Sequence, residues 1–333
     1  MNPPGKVVMV GGPTVDAMLD AGEVELKKRG HAFVRHANAA AFRAAARPLG
    51  DGDVLIAMGM PCNRELLSMG RLRAVVSPYV GTEFIDVAAA TELGIVVGFG
   101  QTPENGIGMA ESTIMFMLVS LYDLHRSERQ LRENAPRPAR FAHLLRGKTV
   151  GLIGLGAIGR AIVDRLAGWG VRILAFTPRP RDVPPGVEVV ALEEMLAASD
   201  VVAVVATLNS ETRGLLNAER LATMKRGAIL VNTARGGIID EAALVAAMKR
   251  GHLAKVALDV FETEPLPANS PLRDLPDAVL TPHMVGQTVE SEQTLIAAAV
   301  QNMVRPMEGR PPLYVRNPEV LAGWQARWSP GPA

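Results

Sequence analysis

The sequence predicts an α/β protein made of two doubly wound parallel-sheet domains, the second inserted into the first. Three observations predict it. Short apolar runs alternate with helix-compatible segments along most of the chain. The alternation pauses near residue 100 and restarts at Thr149, and a long amphipathic stripe flanks the restarted block on each side. Strands alternating with helices call for a parallel sheet with helices on its faces. A length of 333 residues agrees with two domains, at ~100–200 residues each.

The elements follow in order. KVVMV at 6–10 ends in Gly11-Gly12 and opens onto a charged stretch that closes at Lys28, a strand and then a helix. HAFVRH, DVLIAM, LRAVVS and GIVVGF repeat the unit. Between Asn105 and Leu124 the apolar residues Ile107, Ala110, Ile114, Met117, Leu118 and Leu121 recur at helical spacing and mark one face of a long helix. Residues 128–148, with RENAPRPAR, are rich in Arg and Pro and predict a helix-free surface loop. The second block supplies strands at TVGLIGLG, VRILAF, VEVV, DVVAVVA, AILVN, KVALDV and AVLT. Leu295, Ile296, Ala299, Val300, Met303 and Val304 form the second stripe, and the tail after Arg310 is Pro-rich and ends in SPGPA, so its last residues are expected to be poorly ordered. The predicted division is residues 1–104 with 296–333 for one domain and 105–295 for the other. A cleft between domains is a usual place for a small-molecule site.

Composition narrows the class. A chain with 48% hydrophobic and 21% charged residues and a net charge of +1 is an ordinary globular one, without the positive field that nucleic acid or an anionic membrane requires. At 4% aromatic residues it also lacks the material for a base-stacking platform. The single cysteine, Cys62, fits a reducing compartment and reads as a core residue beside a strand end rather than a nucleophile. The N-terminal apolar run is too short for a signal-peptide core, and no run approaches the ~18 residues that span a bilayer. A cytoplasmic protein with no metal site is expected.

The strongest chemical signal is Gly154-Leu155-Gly156-Ala157-Ile158-Gly159, which follows a strand and opens a helix. In that setting the glycines give a tight turn, close approach to a pyrophosphate and close helix–strand packing, and the helix N-terminus faces the phosphates. NAD sites usually place an acid ~20 residues further on, at the end of the next strand. Here that end reads Thr177-Pro178-Arg179-Pro180-Arg181. An arginine fork suits a 2′-phosphate that an acid would repel, so NADP(H) is favoured. NAD(H) stays open through Asp182. Arg235, Glu264 and His283 then stand beyond the ends of three later strands, the edge at which open parallel sheets bind ligands. Arg matches a carboxylate, His moves a proton near neutral pH, and a nearby carboxylate favours the imidazolium. Hydride from a dihydronicotinamide and a proton from His283 would reduce a 2-oxo acid anchored by Arg235.

With GKTVGLIGLGAIGR, MKRGAILVNTARGGIIDEAAL, ALDVFETEP and TPHMVGQT in order, the sequence resembles the D-isomer-specific 2-hydroxyacid dehydrogenase family from about Leu72 to Asn302. The resemblance implies a flavodoxin-like substrate domain and an inserted Rossmann dinucleotide-binding domain. It implies that Arg235 binds the substrate carboxylate, that His283 is the acid/base and that Glu264 is its partner. Asp259 would contact the nicotinamide amide, with Thr207, Thr233 and Ala234 also on the cofactor. Val80 and Gly81 of SPYVGTEFID would hold the carboxylate through backbone N–H groups. A homodimer built through the nucleotide-binding domain is implied, and glyoxylate or hydroxypyruvate is the first-choice substrate. Thr177 stands where many members carry the ribose-binding acid, Thr207 replaces a usual proline, and Met284 and Val285 depart from the pattern beside His283. Met58, Met60 and Tyr79 offer apolar surface that would face the substrate or pack in the core, and Arg64 or Arg73 would be the source of any phosphate contact. No regulatory domain of the kind some phosphoglycerate dehydrogenases carry is expected after the second long helix. The alternatives are an NAD-dependent 3-phosphoglycerate dehydrogenase-like enzyme and a dinucleotide-sensing, corepressor-like binding protein.

Overall fold

The apolar runs become strands, and every strand pairing is parallel. The structure, a computed structural model, describes residues 5–12, 14–136 and 141–329. The chain divides into unit 1, Met1–Asn105 with Thr288–Ala333, and unit 2, Gly106–Gln287.

Unit 1 is a sheet of β1 (Lys6–Val10), β2 (Ala32–His36), β3 (Val54–Ile56), β4 (Ala74–Ser77) and β5 (Val96–Phe99), in the order β2-β1-β3-β4-β5. That is the flavodoxin-like order of a doubly wound sheet. Alternate side chains fill two cores. Val8, Leu55, Val75 and Val97 pack under α2 (Ala39–Ala44), α3 (Arg64–Ser68) and α4 (Val87–Glu92), while Val7, Met9, Ile56 and Val76 pack under α1 (Asp16–Lys28). Each such side chain, when fully buried, contributes ~1.5–3 kcal/mol. Cys62 lies wholly in the first core, and burial pushes its thiol up to about 12, which removes it as a nucleophile at neutral pH.

The first stripe forms α5 (Pro103–Tyr122), whose Ala110, Ile114, Met117 and Leu121 are buried in unit 2. Asp123 then takes a left-handed backbone, φ 53°, and a second helix, α6 (Leu124–Arg132), follows. The helix-free reading of 128–148 is therefore corrected over 128–132. Residues 137–140 of that segment lie outside the described residues. Lys255 fixes the break between the two helices by donating to Asp123 at 2.5 Å and Asp277 at 3.1 Å.

Unit 2 holds β6 (Thr149–Ile153), β7 (Arg172–Phe176), β8 (Val187–Val189), β9 (Val201–Val204), β10 (Ile229–Asn232), β11 (Lys255–Leu258) and β12 (Ala278–Leu280). Their order, β12-β11-β10-β9-β6-β7-β8, is the Rossmann order with one strand added, and its direction reverses between β6 and β9. Val150 and Leu152 face α5 and α7 (Ala157–Leu166). Ile153, Val202, Leu230 and Val256 face α8 (Leu192–Ala198), α9 (Ala218–Thr223) and α10 (Glu241–Lys249).

The chain returns to unit 1 in α11 (Val289–Met307), which starts at a reciprocal Thr288–Ser291 capping box. The second junction thus falls at 287/288, against the 295/296 read from the sequence, because α11 packs with α1 and on the unit 1 sheet. The tail is ordered as far as described. It forms α12 (Leu321–Trp328), whose Trp324 is buried and donates from Nε1 to Arg73 O at 2.7 Å. The expectation of poor order fell on the last residues of this tail, and residues 330–333 lie outside the described residues. Among the described residues no single helix is long and apolar enough to cross a membrane.

Candidate active site

The glycine loop joins β6 to α7. Gly154 has φ +106° and lies so close to the chain after β9 that an added Cβ would sit 2.9 Å from Ala206 N and Cα. At Gly159 a Cβ would sit 2.5 Å from Gly154 O, so the helix packs directly onto the turn. Gly156, the N-cap of α7, meets nothing within 4 Å. Two glycines close the turn and the third leaves an open cradle before the first N–H groups of α7, at Ala157 and Ile158. That combination fits a pyrophosphate.

At the end of β7, Thr177 is half-buried and Arg179 and Arg181 are exposed. Arg179 donates to Glu211 at 3.0 Å, and Arg160 of α7 donates to the carbonyls of Arg181 and Asp182. Glu211 carries no motif signal, and Arg160, which closes the GKTVGLIGLGAIGR block, meets this loop only through the fold. Thr207 is exposed, and its carbonyl accepts from Thr212 Oγ1 at 2.7 Å. Thr233 is buried with its hydroxyl 2.8 Å from that of Thr113 on α5, and Ala234 is buried beside it.

Arg235 follows β10. Asn232, the buried polar end of that strand, accepts from Ala234 N and donates to Arg235 O, both at 3.0 Å. Sequence reasoning passed over Asn232, although a polar residue closing the apolar AILVN was a signal. Arg235 is half-buried, and its Nη1 donates to Ala234 O at 2.7 Å. The chain then turns through the 3₁₀ segment Gly236–Ile238 against the loop that carries Glu264. A Cβ on Gly236 would lie 1.9 Å from Phe261 C.

Glu264 is held at both oxygens. Oε1 accepts from Phe261 N at 3.0 Å and Oε2 lies 2.6 Å from His283 Nδ1. Burial pushes its carboxyl up, but the bonds from His283 and Phe261 and the charges of His283 and Arg235 outweigh that and hold it below its ordinary value. An ionised Glu264 can only accept, so Nδ1 carries the hydrogen and Nε2 is left for proton transfer. His283 sits at φ +57°, a left-handed conformation in which His is enriched and whose cost of ~1–3 kcal/mol marks functional sites.

Asp259, 2% exposed, holds the His283 turn. Its Oδ1 accepts from Thr281 Oγ1 at 2.6 Å, Met284 N at 2.9 Å and Val285 N at 3.1 Å. Sequence reasoning assigned Asp259 to the nicotinamide and missed this tie and its Thr281 partner.

These unit 2 loops follow the C-terminal ends of neighbouring strands β10, β11 and β12, which places Arg235, Glu264 and His283 at one sheet edge. The family sequence model for the D-isomer specific 2-hydroxyacid dehydrogenase NAD binding domain matches residues 114–285. The chain belongs to the D-isomer-specific 2-hydroxyacid dehydrogenase family. It is accordingly a dehydrogenase of the class acting on CH–OH groups, with a nicotinamide dinucleotide as cofactor. A glyoxylate reductase of Thermofilum pendens is 38% identical over 260 residues, 74% of this chain and 76% of the relative. A D-3-phosphoglycerate dehydrogenase of Archaeoglobus fulgidus is 38% identical over 242 residues, 72% of this chain but 45% of the relative, so the chain spans under half of that protein. The crystal structure of a glyoxylate reductase from Paecilomyes thermophila superposes with a TM-score of 0.84 at 27% identity, covering 95% of this chain and 99% of the other.

In unit 1, Met60 is 1% exposed and Tyr79 packs beside Met18, Leu295 and Ala299, with its hydroxyl donating to Thr14 O at 2.8 Å. Of the three apolar candidates only Met58, 41% exposed, is a surface residue. Arg64 pairs with Glu92. Arg73 precedes β4, at the opposite edge from the ligand-binding one, and is buried against Asp53 at 2.8 Å.

Proposed function

We propose that this dehydrogenase reduces a small 2-oxo acid, glyoxylate or hydroxypyruvate, to the D-2-hydroxy acid with NADPH as preferred donor. The 2.6 Å contact between His283 Nδ1 and an ionised Glu264 carries the reading, because it leaves Nε2 as the proton-bearing position. When bound, the dihydronicotinamide supplies the hydride. Arg235 pairs with the substrate carboxylate and draws electron density from the 2-oxo oxygen. His283 delivers its Nε2 proton to that oxygen as the alkoxide forms, and Glu264 stabilises the imidazolium beforehand and keeps the ring aligned. Val80 and Gly81 offer backbone N–H groups to the carboxylate.

Arg73, buried against Asp53 at the sheet edge away from the ligand-binding one, is not placed to meet a phosphate, which favours a short, uncharged substrate side chain over a phosphorylated one. For the cofactor, Thr177 leaves the ribose without a repelling acid. The Arg179–Glu211 pair is exposed, worth no more than ~1 kcal/mol, so the guanidinium can exchange its partner for a 2′-phosphate. Initial rates on glyoxylate and hydroxypyruvate with NADPH and NADH at matched concentrations test both points. The expected result is a preference for NADPH of about tenfold or more, some 1.4 kcal/mol. An NADH preference overturns the cofactor assignment, and turnover confined to 3-phosphoglycerate overturns the substrate.

The proposal includes a cytoplasmic place of action and a homodimer formed through unit 2. Met115, Leu118 and Val119 of α5 line a shallow groove of about 390 Å³ with Ile114 and Trp169, and both Met115 and Trp169 are exposed. Sedimentation equilibrium is expected to give twice the 35.5 kDa chain mass. A single-chain mass at micromolar concentration would count against the dimer.

A further inference from the structure

The turn Ser77–Gly81 of unit 1 is held by its carbonyls. Ser77 Oγ donates to Gly81 O at 2.6 Å, Gly100 N donates to Ser77 O and Tyr79 O at 3.0 Å each, and Arg316 Nη2 donates to Val80 O at 3.1 Å. Among the described residues, no acceptor is bonded to Val80 N or Gly81 N.

Peptide planarity makes this arrangement directional. A carbonyl and the following N–H share one rigid trans plane and point opposite ways. Fixing Tyr79 O therefore fixes the Val80 N–H, and fixing Val80 O fixes the Gly81 N–H. The first is set by Gly100, where a Cβ would sit 2.0 Å from Pro78 O. The second is set by one side chain, from a residue 236 positions further along the chain.

Arg316 is itself tightly placed. Its backbone N–H donates to Val97 O at 2.9 Å on β5, and its guanidinium lies 4.2 Å from the centroid of the Phe99 ring. The next residue, Asn317, is 1% exposed and bonds Val97 N at 2.8 Å and Ile95 O at 3.0 Å. Backbone and side chain are thus anchored to the strand beside the turn. A cation on the carbonyl also polarises the peptide and strengthens its N–H as a donor.

We propose that Arg316 is a positioning residue for substrate binding: by holding Val80 O it aims and strengthens the Gly81 N–H that receives the 2-oxo acid carboxylate. This rests on the reading that the turn holds that carboxylate. Arg316 does not touch the reacting atoms, so its loss weakens binding of the acid and spares the chemical step.

The test compares Arg316→Met and Arg316→Lys with the wild type in glyoxylate reduction and in oxamate binding to the NADPH-loaded enzyme. Arg316→Met is expected to raise the KM for glyoxylate and the Kd for oxamate together by about tenfold, the loss of one charge-assisted bond. The KM for NADPH stays unchanged and kcat changes far less than the KM. Arg316→Lys, which keeps a cation over Phe99, recovers part of the loss and serves alone if the Met variant does not fold. An unchanged glyoxylate KM and oxamate affinity in both variants overturns the positioning role and leaves the proposed function standing. A parallel rise in the KM for NADPH overturns it as well, because that pattern belongs to general loosening. A wild-type enzyme that turns over no 2-oxo acid removes the functional reading and this inference with it.

Discussion

His283→Asn is expected to lower kcat for 2-oxo acid reduction by ~10²–10⁴-fold while dinucleotide affinity stays at the wild-type level. Asn is the cleaner replacement, since it also tolerates the left-handed backbone that His283 adopts at φ +57°. The Asp259 bonds that shape the turn involve Thr281, Met284 and Val285, none of them the ring, so the turn survives the change. What is lost is the proton at Nε2 and the charge opposite Glu264. Steady-state rates with fluorescence titration of the dinucleotide decide it: a loss under about tenfold, or loss of cofactor binding, would refute the assignment. The pair has a defined pH response. Glu264 is held below its ordinary value, so its contribution to stability is fully present above that value and is lost as the pH falls through the depressed one. The Glu264–His283 contact therefore persists into acid that would protonate an ordinary carboxylate.

Gly236→Ala is expected to damage both stability and turnover. The added carbon would sit 1.9 Å from Phe261 C and 2.1 Å from Phe261 O, and both are backbone atoms with no rotamer to give way. Relief requires the loop carrying Arg235 and the loop carrying Glu264 to part. Overpacking of this kind costs ~1–3 kcal/mol or more. A displacement of about 1 Å between catalytic groups can lower the rate by ~10²-fold. Urea melts and kcat/KM measured together give the answer, and a variant with wild-type values in both would show that the two loops are not braced against each other here.

The strands were legible because a strand covered on both faces must be apolar throughout, as in DVVAVVA, AILVN and AVVS. The glycine loop was legible because its demands are local. What escaped depends on partners distant in sequence. LHRSERQLR buries no residue, so it shows no core stripe and vanished into an Arg- and Pro-rich neighbourhood. In the tail, the prolines hid a helix whose evidence was Leu321, Trp324 and Trp328 at helical spacing. Arg235, Glu264 and His283 could be singled out because parallel strands share one ligand-binding edge. Arg73 could not be excluded as a phosphate ligand until Asp53 and Trp324 were seen around it. Thr281 and Arg160 act by bracing loops, and no residue type announces that role in one dimension, whereas Asn232 was marked by its polarity at the end of an apolar strand.

The three bonds to Asp259 also say how this site tolerates change. Two of them end on the main-chain N–H groups of Met284 and Val285, so the bonds that shape the His283 turn are indifferent to the side chains there. Val285 is constrained in another way, by packing into the unit 2 core, whereas Met284 is 55% exposed. Position 284 is therefore cladding on a fixed frame. Drift or deliberate diversification at that residue can reshape the surface beside His283 while the Asp259 bonds keep the turn in place.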